Sequence, residues 1–419
     1  MKKIFQIVHA IEGYDPDALH VEKARAAIRA CIAPVTETER LPVRGALGRV
    51  LAEDIVPGID VPGHDNTAMD GFALRFADLG AGETVLQEIG AALAGKAFAG
   101  SVGAGQCVRV TTGAVMPQGA DTVVPLEIVK AAAGKVTIPP GQKSGQHVRL
   151  AGEDLKKGVP VLGPGCALGP ADLGLIASLG IGEVAVRRRL RVAFFSTGDE
   201  LASIGTALKE GEVYDSNRYT LHGMLSRIGV EIHDLGVVRD DPAQLEAAFR
   251  KAAGFADAII TTGGVSVGEA DFVKPMMAKL GEALFWRIAM RPGRPMAFGR
   301  IGNAFLFGLP GNPVAVMVTF YQFVREALLA MSGRAGDCAL PLLKVPAAEP
   351  IRKVAGRTEY QRGILFRDGG EWKVKTTGQQ GSGVLRSMSE ANCFIVLEHE
   401  RGRVAAGEPV QVQLFEGLA

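Results

Sequence analysis

The chain has 419 residues, 47% of them hydrophobic, and a chain of this length predicts about three domains, each with its own core. Its 46 basic and 45 acidic residues nearly cancel, which argues against the strongly positive surface of a nucleic-acid binder. Any anionic ligand must therefore be bound by local groups.

The cysteines and the apolar runs exclude several further classes. The five cysteines show no C-x-x-C spacing, which argues against a zinc site and a disulfide framework. The N-terminal apolar patch is too short for a signal peptide, and no apolar run approaches the roughly eighteen residues of a membrane span. We therefore expect a soluble, cytoplasmic protein with no nucleic-acid or membrane partner.

The first part of the chain predicts helices on either side of a β-rich segment. Apolar residues at helical spacing predict amphipathic helices over 20–31, 41–50 and 171–179. Between them, short β-prone runs alternate with Gly, Pro and Asp turns, at 84–89, 107–111, 122–128 and 136–138. We expect the flanking helical segments to pack together, which makes the β-rich domain an insertion.

Strands and helices then alternate, which predicts a parallel sheet with right-handed crossovers. The strands are predicted at 190–195, 230–235 and 258–261, and the helices at 216–228 and 243–253. Ligands of such sheets bind at the carboxyl ends of the strands, where the chain places the loops 196–200, 239–242 and 261–271. From about residue 339 onward, short strands predict a small C-terminal β domain.

The loop after the strand 258–261 has the composition of an anion site. Gly263 and Gly264 allow close approach to backbone N–H groups, and Ser266 adds a hydroxyl. The loop is not a P-loop, because Gly268 is followed by Glu269 where a P-loop has lysine. We therefore expect a phosphate or another oxyanion to bind here by a different arrangement.

Acidic residues lie at the predicted strand ends and could bind a metal. Glu200, Asp240 and Asp271 supply oxygen ligands, which suit Mg²⁺ together with substrate phosphates. For Asp271, as for Asp199, a helix N-cap is the alternative, since Asp is a preferred capping residue. Asp241, before Pro242, is predicted to be an N-cap.

Three further motifs have both a functional and a structural interpretation. Arg291 and Arg294 flank a Pro-Gly turn and could converge on one small dianion, or the turn could simply be solvated. The turn of Pro310, Gly311 and Asn312 could dock a phosphate or a pterin carbonyl, or could only connect a strand to a helix. The polar run DNTAMDGFA at 65–73 could be functional or an Asx-turn.

These motifs occur in the order found in one known family. The motifs are DNTAMDGFA, VTTGAVMPQGADTVV at 110–124, AGEDL at 151–155, STGDEL, DSNRYTL at 215–221, RDDP, RPGRPMAFG, GLPGNP, GRTEYQRG at 356–363 and GQQGSGVLRSMSEANCFIVL from 378. In these motifs the chain resembles the molybdopterin molybdenumtransferases, which include the E domain of gephyrin. The resemblance covers nearly the whole chain and leaves out only about its first twenty residues.

The resemblance implies a multidomain α/β plus β fold. Its parts are a central parallel-sheet α/β domain of the molybdopterin-binding type, an inserted β-rich domain, a helical linking domain and a small C-terminal β domain. On this chain they correspond to 189–338, 59–155, 20–58 with 156–188, and 339–419. An elongated homodimer is also implied, with the cleft between the α/β domain of one subunit and the β-rich domain of the other.

The same resemblance implies an activity and its residues. The enzyme would insert molybdate into adenylylated molybdopterin and release AMP with the help of Mg²⁺, and transient contact with the molybdopterin adenylyltransferase is possible for such an enzyme. The implied catalytic residues are Glu200, Asp70, Thr112 and Asp154, with Glu200, Asp240 and Asp271 on the metal. The implied substrate residues are Gly263, Gly264, Ser266, Asp240, Pro310, Gly311 and Asn312, and the implied molybdate residues are Arg291, Arg294, Pro295, Arg357 and Ser382.

This sequence departs from the family pattern at two places. Relatives commonly have serine at the position of Ala315, so one oxyanion donor could be missing, and many have lysine where Arg291 and Arg294 stand. Two other functions stay open: molybdopterin adenylyltransferase, which usually needs only the α/β domain, and a non-catalytic pterin-binding scaffold. Tungstate could also replace molybdate.

Overall fold

The computed structural model describes residues 4–12, 14–264 and 273–415 of the chain. These residues form two units, of which the first comprises Met1–Glu39, Gly48–Val50 and Val186–Ala419. The second comprises Arg40–Leu47 and Leu51–Ala185. The four domain boundaries drawn from the sequence stay predictions.

A six-stranded mixed sheet is the centre of the second unit. Its strands, in spatial order, are Thr122–Pro125, Gly71–Leu74, Gln106–Val110, Thr84–Ala92, Lys135–Ile138 and Lys130–Ala132. Successive side chains enter separate clusters on its two faces, as Phe72 and Ala73 do, so the sheet is covered on both sides. Three of the four strands predicted in this segment are confirmed, and the fourth, predicted at 122–128, ends at Pro125 and is followed by the 3₁₀ turn Leu126–Ile128.

The remaining elements of the second unit are short. They are the strand pair Asn66–Thr67 and Val148–Arg149, the 3₁₀ turns Val43–Ala46, Phe76–Asp78 and Leu126–Ile128, and the helix Pro170–Ser178. The strand Thr38–Pro42 pairs with Glu183–Arg187. A helix was predicted over 41–50, and this prediction is wrong. Leu41 and Pro42 belong to the strand Thr38–Pro42, and Gly48 has a φ of +72°, which a helix does not allow.

The predicted helix over 20–31 is present as Val21–Cys31, but it packs in the first unit. Its apolar side chains join the core that contains Phe320 and Phe323, and Arg25 hydrogen-bonds Gln322. The expected packing of this helix against Pro170–Ser178 stays a prediction. Within the second unit, the 3₁₀ turn Val43–Ala46 contacts Pro170–Ser178.

The first unit contains the predicted parallel sheet, extended by two antiparallel strands. In spatial order the strands are Glu231–Val238, Arg191–Thr197, Ala258–Thr262, Ala304–Leu309, Pro295–Ile301 and Gly281–Arg287, and the first four are parallel. The helices are Ile4–His9, Val21–Cys31, Asn217–Ile228, Pro242–Ala253, Val273–Leu280, Pro313–Thr319 and Arg325–Met331, the last two joined by a π-helical turn, Phe320–Val324. Phe194 and Phe195 enter opposite cores, so both faces of the sheet are covered.

The continuous helical stretch Pro313–Met331 has the length and the mean hydropathy, 1.4, of a membrane-spanning helix. It is 78% buried inside the protein, as core helices are.

The predicted N-cap at Asp241 is confirmed, because its carboxylate accepts a hydrogen bond from Gln244 N at 2.9 Å.

A second sheet in the first unit contains most of the C-terminal strands. Its strands are Met290–Arg291, Thr358–Asp368, Glu371–Thr376, Cys393–Leu397, Pro409–Leu414 and Leu343–Pro346, with the helix Arg386–Glu390 beside them. Met290–Arg291 comes from the α/β part of the chain and pairs in parallel with the start of Thr358–Asp368. The predicted oxyanion turn is therefore tied to this second sheet.

Candidate active site

A cavity of about 620 Å³ lies at the carboxyl ends of the parallel strands. All three predicted strand-end loops reach it, as do the turn after the strand Ala304–Leu309 and Pro295. The predicted site residues that line it are Glu200, Asp240, Gly263, Gly264, Pro295, Pro310, Gly311 and Asn312. Ser266 and Asp271, also predicted, lie outside the described residues.

The exposed carboxylate of Glu200 lies directly over the glycine of its own loop. A Cβ atom on Gly198 would come within 2.5 Å of Glu200 Oε2, so glycine leaves the space that this carboxylate occupies.

No helix follows Asp199, because the next element is the short strand Leu201–Ala202. The alternative of a helix N-cap at Asp199 is therefore wrong.

Asp240 is held by its neighbours at the rim of the cavity. Thr197 Oγ1 donates a hydrogen bond to Asp240 Oδ1, and Asp240 N donates a long one to Asp199 Oδ1 at 3.4 Å. Arg239 lies beside the same loop and donates to the Asp199 carbonyl at 3.0 Å. The loops after two adjacent strands are thereby fixed to each other.

Gly263 occupies a position that no other residue fits. Its φ is +91°, and an added Cβ would collide with the Thr197 carbonyl oxygen. We expect Gly263→Ala to lower the free energy of unfolding by about 1–3 kcal/mol, measured by urea denaturation. Gly302→Ala is the matched control, with a φ of +59° and no atom within 4 Å of the new Cβ. Equal losses in the two variants would contradict the assigned collision.

Two polar residues of the cavity wall were not selected from the sequence. Asp215 is 2% exposed and accepts from Ser196 Oγ at 3.0 Å, while its Oδ2 atom has no hydrogen-bond partner among the described residues. Asn217 donates to the Gly311 carbonyl at 2.7 Å, and its Oδ1 atom also lacks a partner within the described chain. Both residues belong to the motif DSNRYTL at 215–221, which contributes to the family resemblance but was not used to predict site residues.

A second cavity of about 390 Å³ in the same unit is strongly cationic. The predicted residues Arg291 and Arg357 line it, together with three cations that were not predicted, Arg352, Lys353 and Arg362. Glu359 lies in the same wall, but it already accepts from Arg357 Nε at 3.0 Å and from Gln361 Nε2 at 3.1 Å. The cavity thus carries a surplus of positive charge.

The other predicted oxyanion residues, Arg294, Pro295 and Ser382, are not among the described residues that line this cavity. Arg294 is exposed, and its carbonyl accepts from Ile288 N at 2.7 Å. Pro295 lines the first cavity, so the turn 291–295 reaches both cavities. Ser382 is half-buried, and its carbonyl accepts from Val314 N at 3.1 Å. Ala315, where the family pattern predicts serine, is buried in the helix Pro313–Thr319.

Burial and like charge shift two pKa values in the cationic cavity. Burial lowers the pKa of Lys353, and Arg357 lowers it further against the opposing effect of Glu359. Burial and then the charge of Arg291 lower the pKa of Arg362 to about 10. Arg362 still carries its charge near neutral pH, at an electrostatic cost that a bound anion would reduce.

The second unit brings two predicted residues together. Asp70 Oδ1 accepts hydrogen bonds from Thr112 N at 2.6 Å and from Thr112 Oγ1 at 2.8 Å. The backbone bond, then the hydroxyl bond and the charge of Arg109, lower the pKa of Asp70. Asp154 is exposed, and its N–H donates to the Val61 carbonyl at 3.1 Å.

We expect Thr112→Val to raise the pKa of Asp70 toward its ordinary value of about 3.9, because one hydrogen bond to the carboxylate is removed. The depressed pKa stabilises the fold above the unfolded pKa, and this contribution is lost as the pH falls through the folded pKa. Carboxyl NMR titration measures the change. Thr111→Val is the neighbouring control, since its hydroxyl accepts from Ala94 N instead. An unchanged Asp70 pKa in Thr112→Val would contradict this assignment.

Three stretches of the chain match parts of one known architecture. Residues 19–180 match the MoeA N-terminal region (domain I and II), residues 193–330 match a probable molybdopterin binding domain, and residues 344–415 match the MoeA C-terminal region (domain IV). A solved molybdopterin biosynthesis MoeA protein from Pyrococcus horikoshii OT3 superposes with a TM-score of 0.83 at 29% identity, covering 95% of this chain and 100% of that one. The predicted fold class is confirmed.

Full-length relatives agree with these matches. The chain is 42% identical to a molybdopterin molybdenumtransferase of Haemophilus influenzae, over 96% of this chain and 99% of the relative. It is 35% identical to a molybdopterin molybdenumtransferase of Nostoc sp., over 90% and 88% of the two chains. A gephyrin of Dictyostelium discoideum is 32% identical over 90% of this chain and 60% of the longer relative. The resemblance found in the motifs is confirmed, and the chain belongs to the molybdopterin molybdenumtransferase family.

Proposed function

We propose that this enzyme inserts molybdate into adenylylated molybdopterin, cleaves the phosphoanhydride and releases AMP, as a step of molybdenum cofactor biosynthesis. The observation that carries the proposal is the pair of cavities in the first unit. One has carboxylates and glycine loops, the other has surplus cations, and the turn 291–295 reaches both. The first cavity suits a substrate with a phosphoanhydride, and the second suits a small dianion that reacts with this substrate.

The first cavity is proposed to bind the adenylylated pterin. Backbone N–H groups near Gly263 and Gly264, with Ser266 beyond the described part, would face phosphate oxygens. The turn Pro310, Gly311 and Asn312 would contact the pterin or a phosphate. Asn217 Oδ1, which has no hydrogen-bond partner within the described chain, suits an N–H donor of a pterin ring. Asp215 Oδ2, which lies 3.7 Å from Arg218 Nη1 and accepts no hydrogen bond from the described residues, suits another.

The carboxylates of the first cavity fit a magnesium ion. Mg²⁺ in phosphate sites usually takes one or two carboxylates, substrate oxygens and several waters. Glu200 and Asp240 line the same cavity and would hold it, with Asp271 as a further proposed ligand. When bound, the ion would neutralise charge on the phosphoanhydride oxygens. Glu200 would position the attacking group, and Thr197 fixes Asp240.

The second cavity is proposed to bind molybdate. Arg291 and Arg357 provide guanidinium forks that match a tetrahedral dianion, and the surplus charge favours two negative charges over one. Arg294, Pro295 and Ser382 would complete the site from the surrounding turns. Tungstate has the same charge and shape and is a competing ligand in any assay.

We further propose a homodimer in the cytoplasm, in which the second unit of one subunit serves the site of the other. The resemblance supports this arrangement. Asp70, kept ionised by Thr112, and the exposed Asp154 would then act on the substrate held by the partner. Transient contact with the molybdopterin adenylyltransferase would hand over the adenylylated pterin.

The test is a reconstitution with purified protein, adenylylated molybdopterin, Mg²⁺ and molybdate. We expect AMP release together with a product that activates a cofactor-free molybdoenzyme, and loss of both when EDTA removes the metal. Incubation with ATP and free molybdopterin should yield no adenylate. Adenylate formation would instead support the adenylyltransferase, and binding of the pterin without any AMP would support a scaffold.

A further inference from the structure

Arg362 is buried in the wall of the cationic cavity without a neutralising partner. Its side chain is 1% exposed, and within the described chain no carboxylate contributes to its pKa, which is lowered by burial and by Arg291. A buried charge without a counter-ion is costly, so such residues are rarely found unless something else satisfies them. The protein therefore maintains an unfavourable charge at this place.

Neutral hydrogen bonds hold the guanidinium in a fixed position. Arg362 Nε donates to Ser387 Oγ at 3.1 Å, and Arg362 Nη2 donates to the Gly381 carbonyl at 3.1 Å. Ser387 in turn donates to the Val384 carbonyl at 2.6 Å. These bonds leave the net charge of the guanidinium in place.

The backbone of Arg362 holds the same segment from the other side. Its N–H donates to Gln380 Oε1 at 2.8 Å, while its carbonyl accepts from Thr377 N at 3.0 Å and from Gln380 Nε2 at 3.1 Å. One residue thus fixes the turn 377–382 by both its main chain and its side chain. Arg362 therefore contacts this turn at Thr377, Gln380 and Gly381.

The turn 377–382 connects the two cavities. Gln380 lines the cationic cavity, and the Ser382 carbonyl accepts from Val314 N, next to Pro313 in the wall of the first cavity. Displacement of this turn would move Ser382 and the start of the helix Pro313–Thr319 together. Arg362 is therefore placed to affect the oxyanion site through geometry and through charge.

We propose that Arg362 is a positioning residue for oxyanion binding: it fixes the turn 377–382 and supplies a buried positive charge that a bound dianion neutralises. The inference rests on the proposed function, because it assigns a further residue to the same molybdate site. It also predicts that the site binds dianions in the absence of the adenylylated pterin. Binding of the dianion should then stabilise the folded protein.

Molybdate binding to the full-length protein, without the pterin substrate, tests the inference by calorimetry. We expect Arg362→Gln to weaken the affinity about 10- to 100-fold, since hydrogen bonds and charge around an ionised group are lost. Arg362→Lys keeps the charge and should lose less than Arg362→Gln. Arg367→Gln, on the exposed part of the same strand, is the control and should bind like the wild type.

The steady-state assay separates positioning from general damage. In Arg362→Gln the KM for molybdate should rise while the KM for the adenylylated pterin stays within about twofold, as expected for separate subsites. Equal rises in both constants, unchanged molybdate affinity, or a lysine variant as weak as the glutamine variant would each overturn the inference.

Wild-type protein supplies a test that does not depend on the variants folding. Molybdate should raise its Tm, and chloride at the same ionic strength should not, whereas an unchanged Tm at saturating molybdate would overturn the inference. If molybdate binds as expected but no AMP is released from the adenylylated pterin, the proposed function fails and the role of Arg362 in anion binding stands.

Discussion

Glu200→Gln should reduce AMP release about 10²- to 10⁴-fold, the range expected when a catalytic carboxylate that acts in proton transfer is lost. The carboxylate is exposed at the carboxyl end of a central strand, in the space left by Gly198, and it lines the first cavity with Asp240. The variant keeps the shape of the side chain and removes only the charge. A change at Asp240 would also disturb the bond from Thr197.

The stability of Glu200→Gln should stay close to that of the wild type, because exposed substitutions away from fixed contacts change the free energy of unfolding by about 0.5 kcal/mol or less. Glu210→Gln is the matched control, since Glu210 is exposed in the loop between Leu201–Ala202 and Val213–Tyr214. Rates of AMP release by chromatography decide the comparison. Full activity in Glu200→Gln, or equal loss in Glu210→Gln, would remove Glu200 from the mechanism.

The second large effect is expected from a matched pair on the turn 291–295. Arg291→Gln should raise the KM for molybdate about 10- to 100-fold, because Arg291 lines the cationic cavity and its charge acts on Arg362. Arg294→Gln should have the smaller effect, since Arg294 is not among the described residues that line this cavity. Both variants lose one positive charge from the same turn, so long-range electrostatics affect them alike.

The KM for the adenylylated pterin is the internal reference for this pair and should change little in either variant. The two constants are measured by varying one substrate while the other is saturating. If the KM for molybdate rises more in Arg294→Gln than in Arg291→Gln, the anion binds beside Arg294 and outside this cavity. The 390 Å³ cavity would then lose its proposed ligand.

Local signals in the sequence were sufficient for the parallel part of the sheet. Apolar runs of strand length, helical spacing and the N-cap at Asp241 gave the elements from Arg191–Thr197 to Ala258–Thr262 within a few residues. The helix expected over 41–50 failed because its apolar spacing was read without Gly48, which adopts a positive φ that ends the helical path. The two antiparallel strands Pro295–Ile301 and Gly281–Arg287 were not predicted, although Gly302 and Asn303 form a two-residue hairpin signal between Pro295–Ile301 and Ala304–Leu309.

The site was predictable where it depends on loops after strands and not where it depends on pairing over long distances. Glu200, Asp240 and Gly263 meet because parallel strands end at one edge of a sheet. The pairing of Met290–Arg291 with Thr358–Asp368, which brings Arg291 to Arg362, joins segments far apart in sequence. The burial of the charged side chains of Asp215 and Arg362 exists only in the folded chain.

The most direct measurement is a single-turnover experiment in which AMP and product-bound molybdenum are counted in the same sample. Protein in excess over adenylylated molybdopterin is mixed with Mg²⁺ and molybdate, AMP is measured by chromatography, and molybdenum is measured by elemental analysis of the isolated product. We predict one molybdenum per AMP, with AMP release that depends on molybdate and is restored in Arg291→Gln at high molybdate. AMP release without molybdenum in the product would contradict the proposal that the two cavities form one reaction site.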